Sequence, residues 1–304
     1  MQTPEITKSS WIMVATLGFT WGGTFLVIEL ALQGITPFWL AAYRIGFGAF
    51  LTLVVWQIRG GALFAERLRA SEKVNLVTVA AMSSALPFML ISWGQQYVTA
   101  GFTGVSMASV ALIVLPLAHF LVPGERITLR RALGFVIGFI GVVVLIGGQA
   151  FESTGVTLEL PGRIACISAA SCYAISSVLM RRLPAVDPVG LSAVLLLFGA
   201  TLVIPLAFIV EGPPPSVDPR TFWILAFLGL IPTAAANLLR VTVVRTAGPV
   251  FLSLVNYMVP VWAVLLGALL LGEPLPGSLL AALSLILIGV ALSQYGALRR
   301  LFGG

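Results

Sequence analysis

Apolar residues run along this chain in long blocks separated by short polar or Pro/Gly punctuation. A helix needs about 20 mostly apolar residues to cross the hydrocarbon core of a bilayer. Ten blocks reach that length, at 10–32, 37–58, 74–97, 101–122, 128–148, 160–180, 189–210, 221–243, 249–271 and 278–296. The first is not expected to be a cleaved signal, because its apolar part is too long, it lacks an Ala-x-Ala exit and nine more blocks follow. The pattern therefore predicts an all-α integral membrane protein, a single polytopic domain over residues 1–304 with ten transmembrane helices.

Composition supports lipid as the solvent. Of the 304 residues, 59% are hydrophobic and 9% charged, against about 25% charged in a soluble protein. The 31 glycines and 18 prolines sit inside apolar runs, where transmembrane helices tolerate them. A net charge of +6 invites a nucleic-acid reading, but the basic residues are scattered over short loops without a stripe or patch, so no nucleic-acid partner is expected. Cys166 and Cys172 are six residues apart in one helical block and point to different faces, which predicts neither a disulfide nor a metal pair.

The loops also carry orientation. With both ends in the cytoplasm, the inner segments hold Lys8, Arg59, Arg67, Arg69, Lys73, Arg126, Arg130, Arg131, Arg181, Arg182, Arg245, Arg299 and Arg300, and the outer ones only Arg163 and Arg220. Cytoplasmic loops retain positive charge, so the expectation is a multi-pass protein of the plasma (bacterial inner) membrane with cytoplasmic termini.

The two halves repeat. Thr99-Ala100-Gly101 recurs as Thr246-Ala247-Gly248, Gly124-Glu125 as Gly272-Glu273, Ile140-Gly141-Val142 as Ile288-Gly289-Val290, and Pro87 as Pro232, with Trp21-Gly22 loosely matched by Tyr173-Ala174. Each unit, 1–150 and 151–304, then has five spans. Five is odd, so the second copy enters the bilayer from the opposite side. Inverted repeats are a ground plan of secondary transporters, with the substrate near the midplane where the repeats meet.

Trp21-Gly22-Gly23-x-Phe25, Pro37 followed seven residues later by Arg44, and Gly-Glu before each terminal helix make the chain resemble the EamA family of the drug/metabolite transporter superfamily, and within it the YddG-type amino-acid exporters. The likeness covers essentially the whole chain, although the first Gly-Glu stands in the unusual context Val122-Pro123-Gly124-Glu125. It implies two inverted five-helix repeats around a central cavity lined by helices 1, 3, 4, 6, 8 and 9, and efflux of small metabolites such as aromatic or other neutral amino acids.

Polar residues inside spans need a partner or a cavity. Glu29 and Arg44 lie near the outer ends of adjacent antiparallel helices and are expected to form a structural ion pair, with a role in guiding substrate charge as the alternative. Thr233, Asn237 and Arg240 fall on one face of the eighth span, where a stripe facing a cavity costs less than one facing lipid. Asn256 and Tyr257 offer polar groups at mid-depth of the ninth. Ser168, Ser171, Cys172 and Ser176 suit helix packing as well as binding. Trp21, Trp93, Tyr173, Tyr257 and Trp262 lie deep enough to form an apolar wall, whereas Trp11, Phe38, Trp39 and Trp223 read as interfacial anchors. The cavity candidates are Trp21, Thr24, Met89, Ser92, Trp93, Tyr173, Ser176, Thr233, Asn237, Arg240, Asn256 and Tyr257. For a zwitterion, Arg240 is expected to face the carboxylate.

Pro87, Pro116, Pro232 and Pro260 each remove a backbone donor within a span and are candidate hinges, static kinks being the alternative. Gly134-x-x-x-Gly138 is a close-packing motif, expected within one chain; a monomer is expected and a dimer stays open. Glu125 and Glu273 are expected to favour the positive ends of the helices they precede.

A rival intramembrane enzyme lacks support: Asp187 and Asp218 are both in loops, and His119 is the single histidine. No metal, cofactor, phosphate loop or dinucleotide fingerprint is indicated. A channel stays open, but no charged rings are present. The sequence reading is a secondary transporter exporting small organic solutes by alternating access through the bilayer, with facilitated diffusion preferred over proton antiport.

Overall fold

A computed structural model describes residues 6–61, 63, 68–121, 127–147, 158–180, 182–184, 186–247, 249–252, 254–296 and 299. Ten helical passes are present: α1 (Lys8–Leu32), α2 (Pro37–Ile58), α3 (Ala70–Gly94), α4 (Ala100–Leu121), α5 (Leu129–Gly147), α6 (Glu159–Met180), α7 (Pro188–Glu211), α8 (Pro219–Thr246), α9 (Pro249–Leu271) and α10 (Gly277–Ser293). The first eight are long and apolar enough to cross a membrane. The last two passes are shorter because α9 is split between Leu252 and Val255, and α10 gives way to a turn after Ser293. Ten passes place the start of α1 and the end of α10 on one face, called here the terminal face, opposite the far face.

The helices pair as two related units require. α5 packs on α10, α2 on α7 and α4 on α9, each helix meeting its own counterpart. The contact of α1 with α9 is mirrored by α6 with α4, and that of α2 with α8 by α7 with α3. Small residues set the distances. A Cβ on Gly289 would lie 2.6 Å from the Gly134 carbonyl oxygen and from the Gly138 Cα. The Gly134-x-x-x-Gly138 motif thus seats its own chain's α10, and Gly289 belongs to the repeated Ile-Gly-Val triplet.

Two passes are loosened at equivalent places. In α3, residues Ala81–Ala85 form a widened turn, closed where the Leu86 N–H bonds the Ala81 carbonyl five residues back, just before Pro87. In α8, Gly229–Ala235 does the same around Pro232, closed by the Ala236 N–H on Ile231. Proline's ring crowds the carbonyl four residues earlier, and an extra residue in the turn relieves that crowding. Pro116 and Pro260 sit instead inside continuous stretches of α4 and α9, whose interruptions fall at Ser109 and after Leu252. The sequence predicts a break at each proline; in α4 and α9 the interruption of regular helix lies on its N-terminal side. Pro205 is a further proline within a helix, in α7.

Helix ends are capped across the repeats. The Thr99 hydroxyl accepts from the Phe102 N–H at 3.1 Å, while the Glu273 carboxylate accepts from Ala100 and Gly101 at 2.7 and 2.9 Å. Glu273 therefore serves the start of α4 and not, as expected, the helix that follows it. Glu125, Gly124 and Gly248 lie outside the described residues. Thr246 differs from its counterpart: its hydroxyl turns back to the Thr242 carbonyl at 3.0 Å. Glu211, ending α7, accepts from the Phe38 and Trp39 N–H groups at 3.0 and 3.1 Å. The Trp39 indole donates to Gly212 at 3.1 Å, so this tryptophan is buried against α7 and is not a lipid-facing anchor, unlike the exposed Trp11 and Trp223.

Replacing Gly289 by Leu is expected to destabilise the protein by on the order of 1–3 kcal/mol, the usual cost of overpacking, read as a lower Tm in detergent. Gly277, whose added Cβ would meet nothing, is expected to accept Ala without loss.

Candidate functional site

Pro232 has no N–H, so the carbonyl of Leu228, four residues earlier, loses its regular donor. The widened turn passes that oxygen to donors five residues on, and the Thr233 hydroxyl donates to it at 2.8 Å. Its own oxygen then accepts from Arg44 Nε, also at 2.8 Å. Gly48 and Gly229 permit the approach: a Cβ on Gly48 would sit 2.8 Å from Thr233 Cγ2. On the other side of Pro232, its carbonyl accepts from the Trp21 indole at 3.0 Å.

Arg44 is the centre of this cluster. It is 7% exposed, and its guanidinium lies 4.0 Å over the Phe88 ring of α3. Tyr173 of α6 is within electrostatic reach. Four helices from both repeats, α2, α3, α6 and α8, thus surround one cation. Among the described residues, no carboxylate is within ion-pair distance of it, and nothing bonds its two terminal nitrogens.

Glu29, expected to be its partner, lies elsewhere. It sits against Gln95 of α3 and feels the charge of Glu273, and its Oε2 has no hydrogen-bond partner among the described residues. Gln95 is held by donation to the Phe25 carbonyl at 3.0 Å, one turn before Glu29. The expected Glu29–Arg44 pair is therefore not formed: Arg44 Nε bonds Thr233 of α8, and Glu29 sits beside Gln95. Burial holds the Glu273 carboxyl above the usual carboxylate range, although its two backbone donors favour the charged form. The buried ion pair on this far side is Arg163 with Glu159, supplemented by the Ile146 carbonyl at 2.8 Å. Arg163, counted with the outer segments, lies inside α6 and is 2% exposed.

The other candidates distribute unevenly. Asn237 continues the Thr233 stripe, donating to the Thr233 carbonyl at 2.6 Å. Arg240, a turn further on, is half-buried and has no ion pair or hydrogen bond among the described residues. Ser176 donates to the Tyr173 carbonyl at 3.0 Å, and Thr24 to that of Thr20 at 2.9 Å, both satisfying helix backbone. Ser92 and Tyr257 have buried hydroxyls without partners among the described residues, and Asn256 is exposed. Trp93 stacks edge-on with Tyr97 at 5.1 Å, towards the far end of α3. Met89 instead lines a lateral apolar cavity of about 350 Å³ between α3 and α7, with Ala85, Leu202 and Pro205. A second cavity of similar size is polar and lies at the far rim, between Gln33 and Asp218. There Thr221 donates twice to Asp218, which holds that exposed carboxyl below its usual range.

Two residues that complete the centre were not among the sequence-derived cavity candidates: Phe88 and Arg44, from a helix left out of the expected lining. A usable signal existed, since a cation seven residues into an apolar span must face a partner or a cavity.

Residues 8–147 and 160–295 each match the EamA-like transporter family, one five-helix unit apiece. The chain belongs to that family. Its EamA membership makes it a multi-pass transporter and not an enzyme. The uncharacterized transporter YoaV of Bacillus subtilis is 24% identical over 297 residues, 95% of this chain and 98% of that one. A probable terminal-alkyne amino-acid exporter of Streptantibioticus cattleyicolor is 27% identical over 163 residues, 53% of this chain and 52% of its own. A crystal structure shares the fold at TM-score 0.66 and 22% identity, covering 96% of this EamA protein and 99% of that chain.

In a double-mutant cycle of Glu29→Gln and Arg44→Gln, the stability losses are expected to add with a coupling below about 0.5 kcal/mol, as for independent sites. A larger favourable coupling in thermal unfolding would restore the ion pair.

Proposed function

We propose that this EamA protein exports small organic solutes, amino acids foremost, by exposing the Arg44 cluster alternately to each side of the membrane. The observation that carries the reading is the pair of widened turns at Pro87 and in the Pro232 segment. They loosen equivalent helices of the two repeats at the level where Phe88 and Thr233 meet Arg44. Helices interrupted in this way tolerate rearrangement around a fixed central site. Pro87 and Pro232 are the hinges in this reading, with the breaks in α4 and α9 as secondary points of bending. Trp21, Tyr173 and Asn237 join the site as walls and polar contacts.

The amino-acid class is supported by the amino-acid exporter among the relatives, from Streptantibioticus, and by the buried Arg44, which has no carboxylate partner among the described residues. Outward direction follows the exporter resemblance, and the excess of Lys and Arg in the terminal-face loops supports cytoplasmic ends. Among the described residues no carboxyl lies in the central cluster, so the carrier is read as running down the solute gradient. It works as a monomer, its glycine-rich α5 being engaged by α10.

Purified protein in liposomes is expected to catalyse counterflow of labelled neutral amino acids, and to do so more slowly with Trp21→Ala, by about tenfold. A panel of amino acids, nucleosides, sugars and cationic drugs checks the class, with an imposed pH gradient as a separate arm. Absence of exchange for every solute would overturn the carrier reading; acceleration by the gradient, lost in Glu29→Gln, would replace passive transport by proton antiport.

A further inference from the structure

Arg44 is a charge that the protein leaves incomplete. An ion within the bilayer is costly unless paired or hydrated. The other buried cation of the described residues, Arg163, has its acid, Glu159, one turn away on the same helix. Arg44 has only a hydroxyl on Nε and an aromatic face beneath it. The Phe88 ring covers one face of the planar group at 4.0 Å, which leaves approach in the guanidinium plane, along the terminal nitrogens. That edge presents parallel N–H donors with the geometry of a carboxylate.

We infer that Arg44 is the receptor for the carboxylate of the transported solute, with Thr233 and Phe88 fixing the guanidinium in the receiving orientation. The inference rests on the carrier reading above and narrows it to monocarboxylates. One cation neutralises one carboxylate, and the ammonium of a zwitterionic solute is left to other polar acceptors. A phosphate dianion would keep a second negative charge that no other cation of the cluster offsets. Arg240, the sequence-derived choice for this contact, lies two turns beyond Thr233 on α8, and among the described residues no hydrogen bond or ion pair joins it to the cluster. Thr233 has a defined part: its hydroxyl hydrogen is committed to Leu228, so its oxygen can only accept, and it holds Nε while the other donors stay free.

The test is competition in liposome counterflow, using L-leucine and L-phenylalanine, their carboxamides, the corresponding decarboxylated amines, and inorganic phosphate. In the wild type, the amino acids are expected to compete at least about tenfold better than the amides and amines, the scale of a hydrogen bond to a charged group, and phosphate not at all. Arg44→Gln should erase this preference, Arg44→Lys should keep part of it, and Thr233→Val should weaken it severalfold with the charge still present. Equal competition by amides in the wild type would overturn the inference, as would an undiminished preference in folded Arg44→Gln. If Arg44→Gln does not fold, an unchanged preference in Thr233→Val overturns it instead. Exchange of amines or sugars without regard to carboxylate sinks this assignment alone, whereas no exchange of any solute sinks the carrier reading beneath it.

Discussion

One missing N–H organises the middle of this protein. Water is not available in the hydrocarbon core, so each backbone carbonyl must find a donor within the protein. Pro232 denies the regular one to Leu228, and Thr233 supplies a replacement whose oxygen is thereby turned towards α2. Arg44 answers it. A local backbone deficit is converted, through one hydroxyl, into the position of a cation among four helices. Trp21 secures the neighbouring carbonyl of the same widened turn from α1, so both flanks of the disturbed segment are tied to the opposite repeat.

The remainder of the bundle supplies rigidity around that segment. α5 and α10 meet backbone to backbone through Gly134, Gly138 and Gly289, which suits helices that have no hydrophobic driving force between them in lipid. Gly18 and Gly22 of α1 and Gly104 of α4 bring α9 close in the same manner. The widened turns of α3 and α8 pack instead on α7 and α2.

Much of the architecture was legible because the bilayer constrains it so strongly. Span lengths, the odd number of passes per unit and the repeated Thr-Ala-Gly, Gly-Glu and Ile-Gly-Val motifs all follow from hydropathy and self-comparison. The motifs acquire physical content in the structure: Thr99 and Glu273 share the orphan donors of one helix start, and Gly289 seats α5. What stayed hidden depended on distance between passes. Glu29 and Arg44 looked complementary in depth, yet the acceptor created at Pro232 is nearer to Arg44 than any acid is. Phe88 gave no polar signal at all, and Met89, its neighbour, faces a lateral cavity because a helix turns 100° per residue. Asn256, expected to offer its amide to a cavity, is exposed just after the turn at Leu254.

The two carboxylates that cap helices across the repeats, Glu211 and Glu273, both act at the far face, within reach of solvent. If those bonds part, water can take over the bared N–H groups of α2 and α4, so their separation exchanges one hydration for another at little net expense. The Arg44–Thr233 bond has no such substitute where it lies. The molecule is thus fastened at its rim by clasps that hydrate on release, and at its heart by a contact that only another polar group can replace.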